Sequence, residues 1–357
     1  MANKTPIDLT PSGKFRARGI GLAFAGTTGP NNAITDVPGV SVGYETLIEG
    51  DSIRTGVTAI LPRPKQDLAT SVFAGCHSLN GNGELTGSHW IEEAGCCNGP
   101  ITITNTHSLG TCRDASIQWM VKHLGVSGWA LPVAGETYDG ALNDINGFHI
   151  KPHHVFAAID QARGGPIEEG SVGGGTGMIC YGFKGGSGTA SRALTLANTA
   201  TTLGVFVQAN FGLTSQLTIA GVPVGRHLAK THEDPERGSI IAVVATDAPL
   251  LPHQLKRLTR RVGLGMGRSG AISGHGSGDL FLAFSTANKT AHQNDDQLST
   301  MQFIPDALLD PLFEAVIQAV DEAILNAMVA NEPMTGFKGA HVDALPVTAI
   351  QAILGLS

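Results

Sequence analysis

A length of 357 residues, with 42% hydrophobic and 15% charged residues, is typical of a compact globular protein that can build a large core. The net charge of −7 arises from 23 basic and 30 acidic residues without any basic block, which argues against a nucleic-acid partner. No apolar stretch reaches membrane-spanning length and the N-terminus lacks a hydrophobic signal core, so we expect a soluble protein with no membrane partner.

Short apolar runs rich in β-forming residues recur along the chain and predict buried strands, because most are bounded by Gly, Asn, Asp or Pro. In chain order these runs are Val57–Leu61, Ile101–Thr106, Val155–Ile159, Leu203–Ala209, Ser239–Thr246 and Leu280–Ser285. No internal repeat or obvious linker separates them. We therefore expect one domain spanning residues 1–357.

Helical spacing of apolar residues marks three further segments. Ala115–Leu124 predicts a helix, and in Leu251–Val262 the apolar residues share one face while the basic residues lie elsewhere. A longer helix is predicted to start at Asp310-Pro311 and to run to about Ala330. In this helix Asp310 would be the N-cap and Pro311 the first helical residue.

The strongest break in this pattern is the hydrophilic segment Lys230–Gly238, which predicts an exposed, mobile loop. The apolar run that follows it begins at Ser239 and predicts a core strand. A serine therefore stands where a polar loop changes abruptly into a buried strand.

A glycine-serine pair at such a boundary permits a particular chemistry. The Ser239 hydroxyl could attack the Gly238 carbonyl, and water would then hydrolyse the resulting ester. The α-amine released on Ser239 has a reference pKa of roughly 7.7–8.0, so it could accept the hydroxyl proton near neutral pH. The same pair also occurs in ordinary turns before strands, and the residues alone leave both interpretations open.

Several strings in one order make the sequence similar to a known family across nearly its whole length. They are Thr35-Asp36-Val37-Pro38-Gly39-Val40, Gly135-Glu136-Thr137-Tyr138-Asp139-Gly140, Val172-Gly173-Gly174-Gly175-Thr176-Gly177-Met178, Gln208-Ala209-Asn210-Phe211-Gly212, Gly238-Ser239-Ile240-Ile241, Ala245-Thr246-Asp247-Ala248-Pro249-Leu250 and Ser277-Gly278-Asp279. The chain thus resembles the DmpA/BapA family of L-aminopeptidase/D-amino-acid esterase-amidases and β-peptidyl aminopeptidases.

The resemblance implies a fold and an assembly. The fold would be an α/β protein, a four-layer αββα sandwich similar to the N-terminal nucleophile hydrolases but with different connectivity. Self-cleavage would produce an α chain of residues 1–238 and a β chain of residues 239–357 that stay together, in a homotetramer of cleaved units.

Five catalytic residues follow from the resemblance, position by position. Ser239 would be the nucleophile and new N-terminus, and Asn210 would donate its side-chain amide to the developing oxyanion. Tyr138 would hydrogen-bond the nucleophile or the reacting carbonyl. Ser277 and Asp279 would contact the nucleophile and its amine, although an aspartate reaches less far than the glutamate of some relatives. Without the resemblance, Asn210 would fit a turn equally well, while Ser277 and Asp279 would read as a turn and Tyr138 as a half-buried tyrosine with an ordinary partner.

Substrate-binding residues are less constrained by the sequence. An aminopeptidase needs a carboxylate for the substrate ammonium, and Glu136 is our candidate, with Asp139 and Asp144 as competing choices. Trp129 matches a pocket tryptophan of DmpA-type relatives, which would narrow the pocket towards small α-amino acids without excluding β-amino acids. A lone tryptophan is also compatible with a core position.

Three glycine-rich motifs suggest other functions but lack the required context. Gly39–Gly43 fits G-x-S-x-G, yet no helix is predicted directly after the serine. Gly265–Gly270 fits G-x-G-x-x-G but follows a basic helix instead of a strand. Gly173–Gly177 lacks the Gly-Lys-Ser/Thr of a phosphate-binding loop, so we expect close backbone packing there.

Histidines and cysteines point to no cofactor and no metal. The 13 histidines show no ligand spacing, although His77, His89 and His107 could gather in space. The five cysteines include the adjacent pair Cys96-Cys97 and form no CxxC motif, which favours reduced, mostly buried thiols and a cytoplasmic protein.

The expected activity is therefore that of a serine aminopeptidase, amidase or esterase acting on small peptides, amides and esters. An amine acyltransferase of the ornithine acetyltransferase type is an alternative, but those enzymes process themselves before a threonine, whereas residue 239 is a serine. An inactive, ligand-binding relative is a third possibility. The sequence does not choose between α- and β-amino acids or decide whether D-residues are accepted.

Overall fold

A computed structural model describes residues 5–229, 238–292 and 296–356. Its strands are β1 (Ser41–Glu49), β2 (Ile53–Leu61), β3 (Val72–Gly81), β4 (Cys96–Cys97), β5 (Ile101–Asn105), β6 (Ala134–Thr137), β7 (Ile179–Cys180), β8 (Phe183–Lys184), β9 (Gly186–Leu196), β10 (Thr199–Asn210), β11 (Ser239–Thr246), β12 (Gly278–Ser285), β13 (Met334–Thr335) and β14 (His341–Val342). The helices are α1 (Ser88–Ala94), α2 (Leu109–Leu124), α3 (Pro152–Asp160), α4 (Gly225–Leu228), α5 (Pro252–Arg268), α6 (Asp310–Val329) and α7 (Val347–Leu354).

Two mixed sheets form the centre of the protein. One has four strands in the order β1-β2-β5-β6, and the other has six in the order β4-β3-β12-β11-β10-β9. Neighbouring strands are antiparallel except for β5–β6 and β11–β12, which run parallel. Strand β11 therefore lies in the middle of the larger sheet, with β10 and β12 on either side.

The two sheets face each other across an apolar layer, and helices cover their outer faces. Ile60 and Ile103 of the smaller sheet share this layer with Phe206, Val243 and Leu282 of the larger one. Helices α5 and α6 pack on the outside of the larger sheet, and α2 and α3 pack on the outside of the smaller sheet. The order of layers is thus αββα, which confirms the predicted fold class.

Strand β11 shows why its sequence is apolar without alternation. Ile240 and Val244 point into the core beneath α5 and α6, whereas Ile241 and Val243 point between the sheets. A strand buried on both faces needs apolar side chains at successive positions. All eight residues of β11 are buried, so its first residue, Ser239, is held in the interior.

One predicted strand is wrong. The run Val155–Ile159 belongs to helix α3, which begins at Pro152 after an extended Lys151. The buried residues of α3 are Val155, Ala158 and Ile159, which is the i, i+3, i+4 spacing of a helix face. A five-residue apolar run fits a strand and a helix equally well, and the proline at the first helical position was the signal that should have decided.

The other predicted elements exist, and all but strand β11, which keeps its predicted bounds, have shifted ends. Helix α2 begins at Leu109, six residues before the predicted start. Helix α6 begins with Asp310 as its first helical residue, so Leu309 is the N-cap and the predicted capping role of Asp310 is wrong by one position. Asp310 still lies in the first turn, where a carboxylate interacts favourably with the helix dipole. Of the predicted loop Lys230–Gly238, all but Gly238 lies outside the described residues.

The packing between the sheets generates a stability prediction. Phe206 is fully buried in that layer, so replacing it with alanine should lower the free energy of unfolding by about 3–5 kcal/mol through lost burial and a cavity. Phe303 is 54% exposed and serves as a matched control whose replacement should cost within about 0.5 kcal/mol. Denaturant unfolding of both variants measures the difference, and equal losses would contradict this account of the core.

Candidate active site

Three strand ends meet around Ser239. The last residue of β10, Asn210, pairs with Ser239 in antiparallel register, and the first residue of β12, Gly278, pairs with it in parallel register. Because β10 ends where β11 and β12 begin, residues distant in sequence come together at one edge of the sheet. Ser239 is only 4% exposed there.

The backbone at Gly238 fits tightly between the neighbouring strands. The Gly238 carbonyl accepts a hydrogen bond from the Gly278 amide at 3.2 Å. A β-carbon on Gly238 would lie 2.0 Å from the Asn210 carbonyl oxygen and 2.8 Å from the Phe211 α-carbon. No larger residue fits without moving β10, so the glycine before Ser239 has a packing reason as well as a chemical one.

An open cleft of about 630 Å³ lies over this edge of the sheet. Its lining residues are Gly81, Asn82, Gly83, Glu84, Thr106, Glu136, Tyr138, Gly238, Ser239 and Gly276. The predicted nucleophile, the predicted tyrosine and one predicted ammonium-binding carboxylate therefore face one cavity. The residues that line the cavity belong to strands of both sheets and to loops beside them.

The side chain of Asn210 is held in a single orientation by its hydrogen bonds. Its Oδ1 accepts from the Ile179 amide at 2.8 Å, and its Nδ2 donates to the Tyr138 carbonyl at 2.9 Å. An amide nitrogen carries two N–H groups, and Tyr138 takes one of them. The second N–H of Nδ2 can therefore donate to another group next to the start of β11.

Tyr138 contacts the site through its backbone and lies partly in solvent. Its side chain is 46% exposed, and a β-carbon on Gly140 would come within 2.3 Å of the phenolic oxygen. The ring therefore lies back over Gly140, and the Tyr138 carbonyl makes the contact with Asn210. The predicted bond from the hydroxyl to the nucleophile remains a prediction.

Ser277 and Asp279 are fully buried on either side of Gly278. The Ser277 hydroxyl donates to Asp279 Oδ1 at 2.7 Å. Asp279 also pairs with Ile240, the residue after the predicted nucleophile, in the β11–β12 register. The sheet thus brings both predicted residues beside the start of β11, as a hydrogen-bonded pair.

Glu136 is a buried carboxylate in the wall of the cleft and is only 3% exposed. One of its oxygens accepts from the Glu84 amide at 3.0 Å, and the other accepts from the Thr106 hydroxyl. Burial raises the pKa of Glu136 above its ordinary value, and these two hydrogen bonds oppose the shift. The carboxylate is therefore oriented in advance, with its charge held in a poorly solvated place.

The competing acids lie elsewhere. Asp139 is fully buried and accepts from Asn143 Nδ2 at 3.1 Å, and burial raises its pKa to about 7. Asp144 is half-buried and does not line the cleft. Of the three candidate carboxylates, the structure brings Glu136 into the cavity with Ser239.

Trp129 does not line this cleft. Its side chain is 68% exposed and stands edge-on to Trp90 of α1, with ring centroids 5.3 Å apart. The core position considered for a lone tryptophan is excluded by this exposure. Its predicted effect on pocket size remains a prediction.

The sequence interpretation missed three groups around Glu136 and Asn210. These are the Thr106 hydroxyl, the Glu84 amide and the Ile179 amide. Thr106 could have been found, because it follows β5 directly and parallel strands β5 and β6 end at the same sheet edge. The two backbone amides could not have been found, because every residue except proline has a backbone N–H group.

The glycine-rich motifs have structural roles. Ser41 of the run Gly39–Gly43 starts strand β1, so the turn into a helix that a nucleophile elbow requires is missing at this position. Gly265–Gly270 lies at the end of helix α5. A β-carbon on Gly174 would lie 2.2 Å from Gln208 Oε1. Close packing between the sheets therefore accounts for the glycine run near residue 174, as expected.

All five cysteines are buried as reduced thiols. Within residues 5–229, 238–292 and 296–356, no three His, Cys, Asp or Glu side chains are grouped to hold a metal ion. Over the same ranges, no helix has the length and apolar character needed to span a bilayer.

Solved structures identify the class of this fold. The L-aminopeptidase D-Ala-esterase/amidase of Ochrobactrum anthropi, a prototype for the serine aminopeptidases and a new variant of the Ntn hydrolase fold, superposes with a TM-score of 0.89. It is 47% identical, and the match covers 95% of this chain and 98% of that one. A β-aminopeptidase from Burkholderia sp. matches with a TM-score of 0.89 and 44% identity over 96% and 99% of the two chains. The protein therefore has an Ntn-hydrolase-type fold.

Sequence comparison supplies the family. The model of peptidase family S58 matches residues 32–342, and the chain belongs to that family. The chain is also 48% identical to the β-peptidyl aminopeptidase BapA of Sphingosinicella microcystinivorans, over 95% of this chain and 91% of the relative. The protein is thus a peptidase, and its relatives include β-peptidyl aminopeptidases and an L-aminopeptidase D-Ala-esterase/amidase.

The buried charge of Glu136 predicts a pH-dependent stability difference. The raised pKa means that the folded state binds a proton more readily than the unfolded state, so Glu136 destabilises the fold increasingly as pH rises from its ordinary value of 4.5 through the folded pKa. Glu136→Gln should therefore raise the melting temperature at pH 8 and leave it unchanged near pH 4. Calorimetric scans at both pH values measure this, and a lower melting temperature for the variant at pH 8 would contradict it.

Proposed function

We propose that this chain is a self-processing serine aminopeptidase. In this proposal one domain, residues 1–357, is cut between Gly238 and Ser239 into chains of residues 1–238 and 239–357. Ser239 then removes N-terminal amino acids from small peptides, amides and esters. The observation that carries the proposal is that Ser239, at the start of a buried strand, shares one cleft with the oriented carboxylate of Glu136.

The contacts of Gly238 support the self-cleavage step. Attack by the Ser239 hydroxyl on the Gly238 carbonyl would form a tetrahedral intermediate with negative charge on the carbonyl oxygen. The Gly278 amide already donates to that oxygen, which is the contact an oxyanion needs. The proton lost by the attacking hydroxyl is transferred to the Ser239 nitrogen, which is expelled as an amine when the intermediate collapses. The C–N bond is replaced by an ester, which water hydrolyses to the Ser239 hydroxyl and a carboxylate on Gly238.

The released amine then serves the turnover reaction. It takes the proton of its own hydroxyl as the oxygen attacks the substrate carbonyl, and Asn210 Nδ2 stabilises the oxyanion. The amine returns the proton to the leaving amine or alcohol, and water later releases the amino acid from the acyl-enzyme. Ser277 and Asp279 flank Gly278, the β12 partner of Ser239, and their hydrogen bond supports the proposal that they would keep a carboxylate close to the ammonium form of this amine.

The position of Glu136 favours removal of single residues over cleavage inside a peptide. An ammonium group bound by a buried carboxylate gains a charge-assisted hydrogen bond, which typically contributes about 1.5–3 kcal/mol. Because Glu136 and Ser239 line one cleft, the bound ammonium would place the adjacent carbonyl near the hydroxyl. Both α- and β-amino acids belong to the proposed substrate range, since relatives are named for each.

The proposal also includes an assembly and a location. The resemblance to the DmpA/BapA family supports a homotetramer of cleaved units, which light scattering of the purified protein tests. Five buried, reduced cysteines support a cytoplasmic location. No cofactor takes part in the proposed steps.

Ser239→Ala should abolish both self-cleavage and hydrolysis, because the variant lacks the attacking oxygen. A denaturing gel should show one band for the variant, and bands of 238 and 119 residues (357 minus 238) for the natural sequence. Ser12, whose hydroxyl donates to Glu168, does not line the cleft, so Ser12→Ala is the control and should give both bands. A cleaved and active Ser239→Ala protein would refute the proposal.

Glu136→Gln should reduce kcat/KM for an amino-acid p-nitroanilide by roughly 10- to 100-fold, mainly through KM, because it removes the charge that binds the substrate ammonium. Asp144→Asn removes a nearby charge outside the cleft and should leave both constants within about twofold. Steady-state kinetics on the cleaved proteins tests this. Similar effects of the two substitutions would show that Glu136 does not bind the ammonium.

A further inference from the structure

Lys184 is a fully buried cation that the proposed mechanism does not use. Its side chain is 0% exposed, at the end of β8. A buried ammonium is costly unless its protons are hydrogen-bonded, so its presence near a catalytic cleft calls for a physical reason. Its contacts provide one.

The Lys184 ammonium binds the backbone that orients Asn210. Its Nζ donates to the Met178 carbonyl at 2.6 Å and to the Thr176 carbonyl at 3.1 Å. The Met178 carbonyl and the Ile179 amide belong to one peptide group, and that amide donates to Asn210 Oδ1 at 2.8 Å. An unbroken hydrogen-bonded chain thus runs from the lysine through a single peptide to the carboxamide.

Each link of this chain strengthens the next. A positive charge on a peptide carbonyl draws electron density towards the oxygen and makes the N–H of the same peptide a better donor. Ile179 would in turn polarise the Asn210 carboxamide, so that Nδ2 becomes a stronger donor to an oxyanion. The same contacts prevent the carboxamide from flipping, because a flip would place its NH2 group against the Ile179 amide.

Two opposing effects act on the pKa of Lys184. Burial lowers the pKa of Lys184 to about 7, and the carboxylate of Asp139 opposes this shift. The Lys184 backbone amide donates to the backbone carbonyl of Asp343. The side chain of Asp343 is exposed and lies near His341. Asp139 directly follows Tyr138, whose carbonyl is the second partner of Asn210.

We infer that Lys184 is a positioning residue that orients and polarises the Asn210 carboxamide through the Met178–Ile179 peptide. This inference rests on the proposed role of Asn210 as oxyanion donor. It assigns Lys184 an effect on the transition state and little effect on substrate binding. The expected signature is a loss in kcat that depends on the presence of Asn210.

A double-mutant cycle tests this. Lys184→Met keeps the length of the side chain and removes the ammonium, and should lower kcat about tenfold with KM within about twofold. Asn210→Ala should lower kcat by roughly 10²–10³. In the Asn210→Ala background, Lys184→Met should change kcat less than about twofold, because no carboxamide remains to be positioned. Rates are expressed per cleaved chain, determined on gels, with an activated amino-acid ester as substrate.

Control variants distinguish a positioning role from a general effect of removing a lysine. Lys256→Met removes a partly exposed lysine that pairs with Glu92, and should leave kcat unchanged. Lys184→Gln replaces the methionine variant if that protein does not fold, and should give the same pattern. If neither variant folds, Lys184 acts in folding and the inference is rejected.

Two results would overturn the inference while leaving the proposed function intact. One is a natural kcat in Lys184→Met, and the other is an equal loss in both backgrounds, which indicates a general structural role. If Asn210→Ala and Ser239→Ala themselves retain full activity, the proposed function fails instead. The two failures are therefore distinguishable in one set of measurements.

Discussion

The pairing of β11 with β10 and β12 is the constraint on which the rest of the structure depends. It places Ser239 opposite Asn210 on one side and Gly278 on the other. A shift of one residue along β11 would exchange its two apolar faces and move Ser239 from the inter-sheet side. Core packing therefore fixes the location of the serine as firmly as it fixes the core itself.

Burial then determines the electrostatics of the site. Glu136, Asp139 and Lys184 are all buried. Burial raises the pKa of the two carboxyl groups and lowers the pKa of the lysine, so it favours the neutral form of each group. Hydrogen bonds from Thr106, from the Glu84 amide and to backbone carbonyls stabilise the charged forms. Such an arrangement costs stability, and perturbed pKa values of this kind cluster at functional sites.

Hydrophobic patterning predicted most of the strands and helices, and the family motifs implied the αββα layers and four of the ten residues that line the cleft, Glu136, Tyr138, Gly238 and Ser239. Ser239–Thr246 was predicted with its observed ends, since burial on both faces leaves an uninterrupted apolar run. Val155–Ile159 was assigned wrongly because five apolar residues do not determine a period. The links through the Glu84 and Ile179 amides were invisible, since backbone groups at a site depend on tertiary contacts and carry no signature of their own.

The central claim is that a backbone break exposes an amine on the residue that carries the attacking oxygen. N-terminal sequencing of the fully active, purified protein tests this most directly. The account predicts two N-termini, one of which reads Ser-Ile-Ile-Ala from Ser239 onwards. An active preparation that yields only the encoded start, Met1 or Ala2, would contradict it.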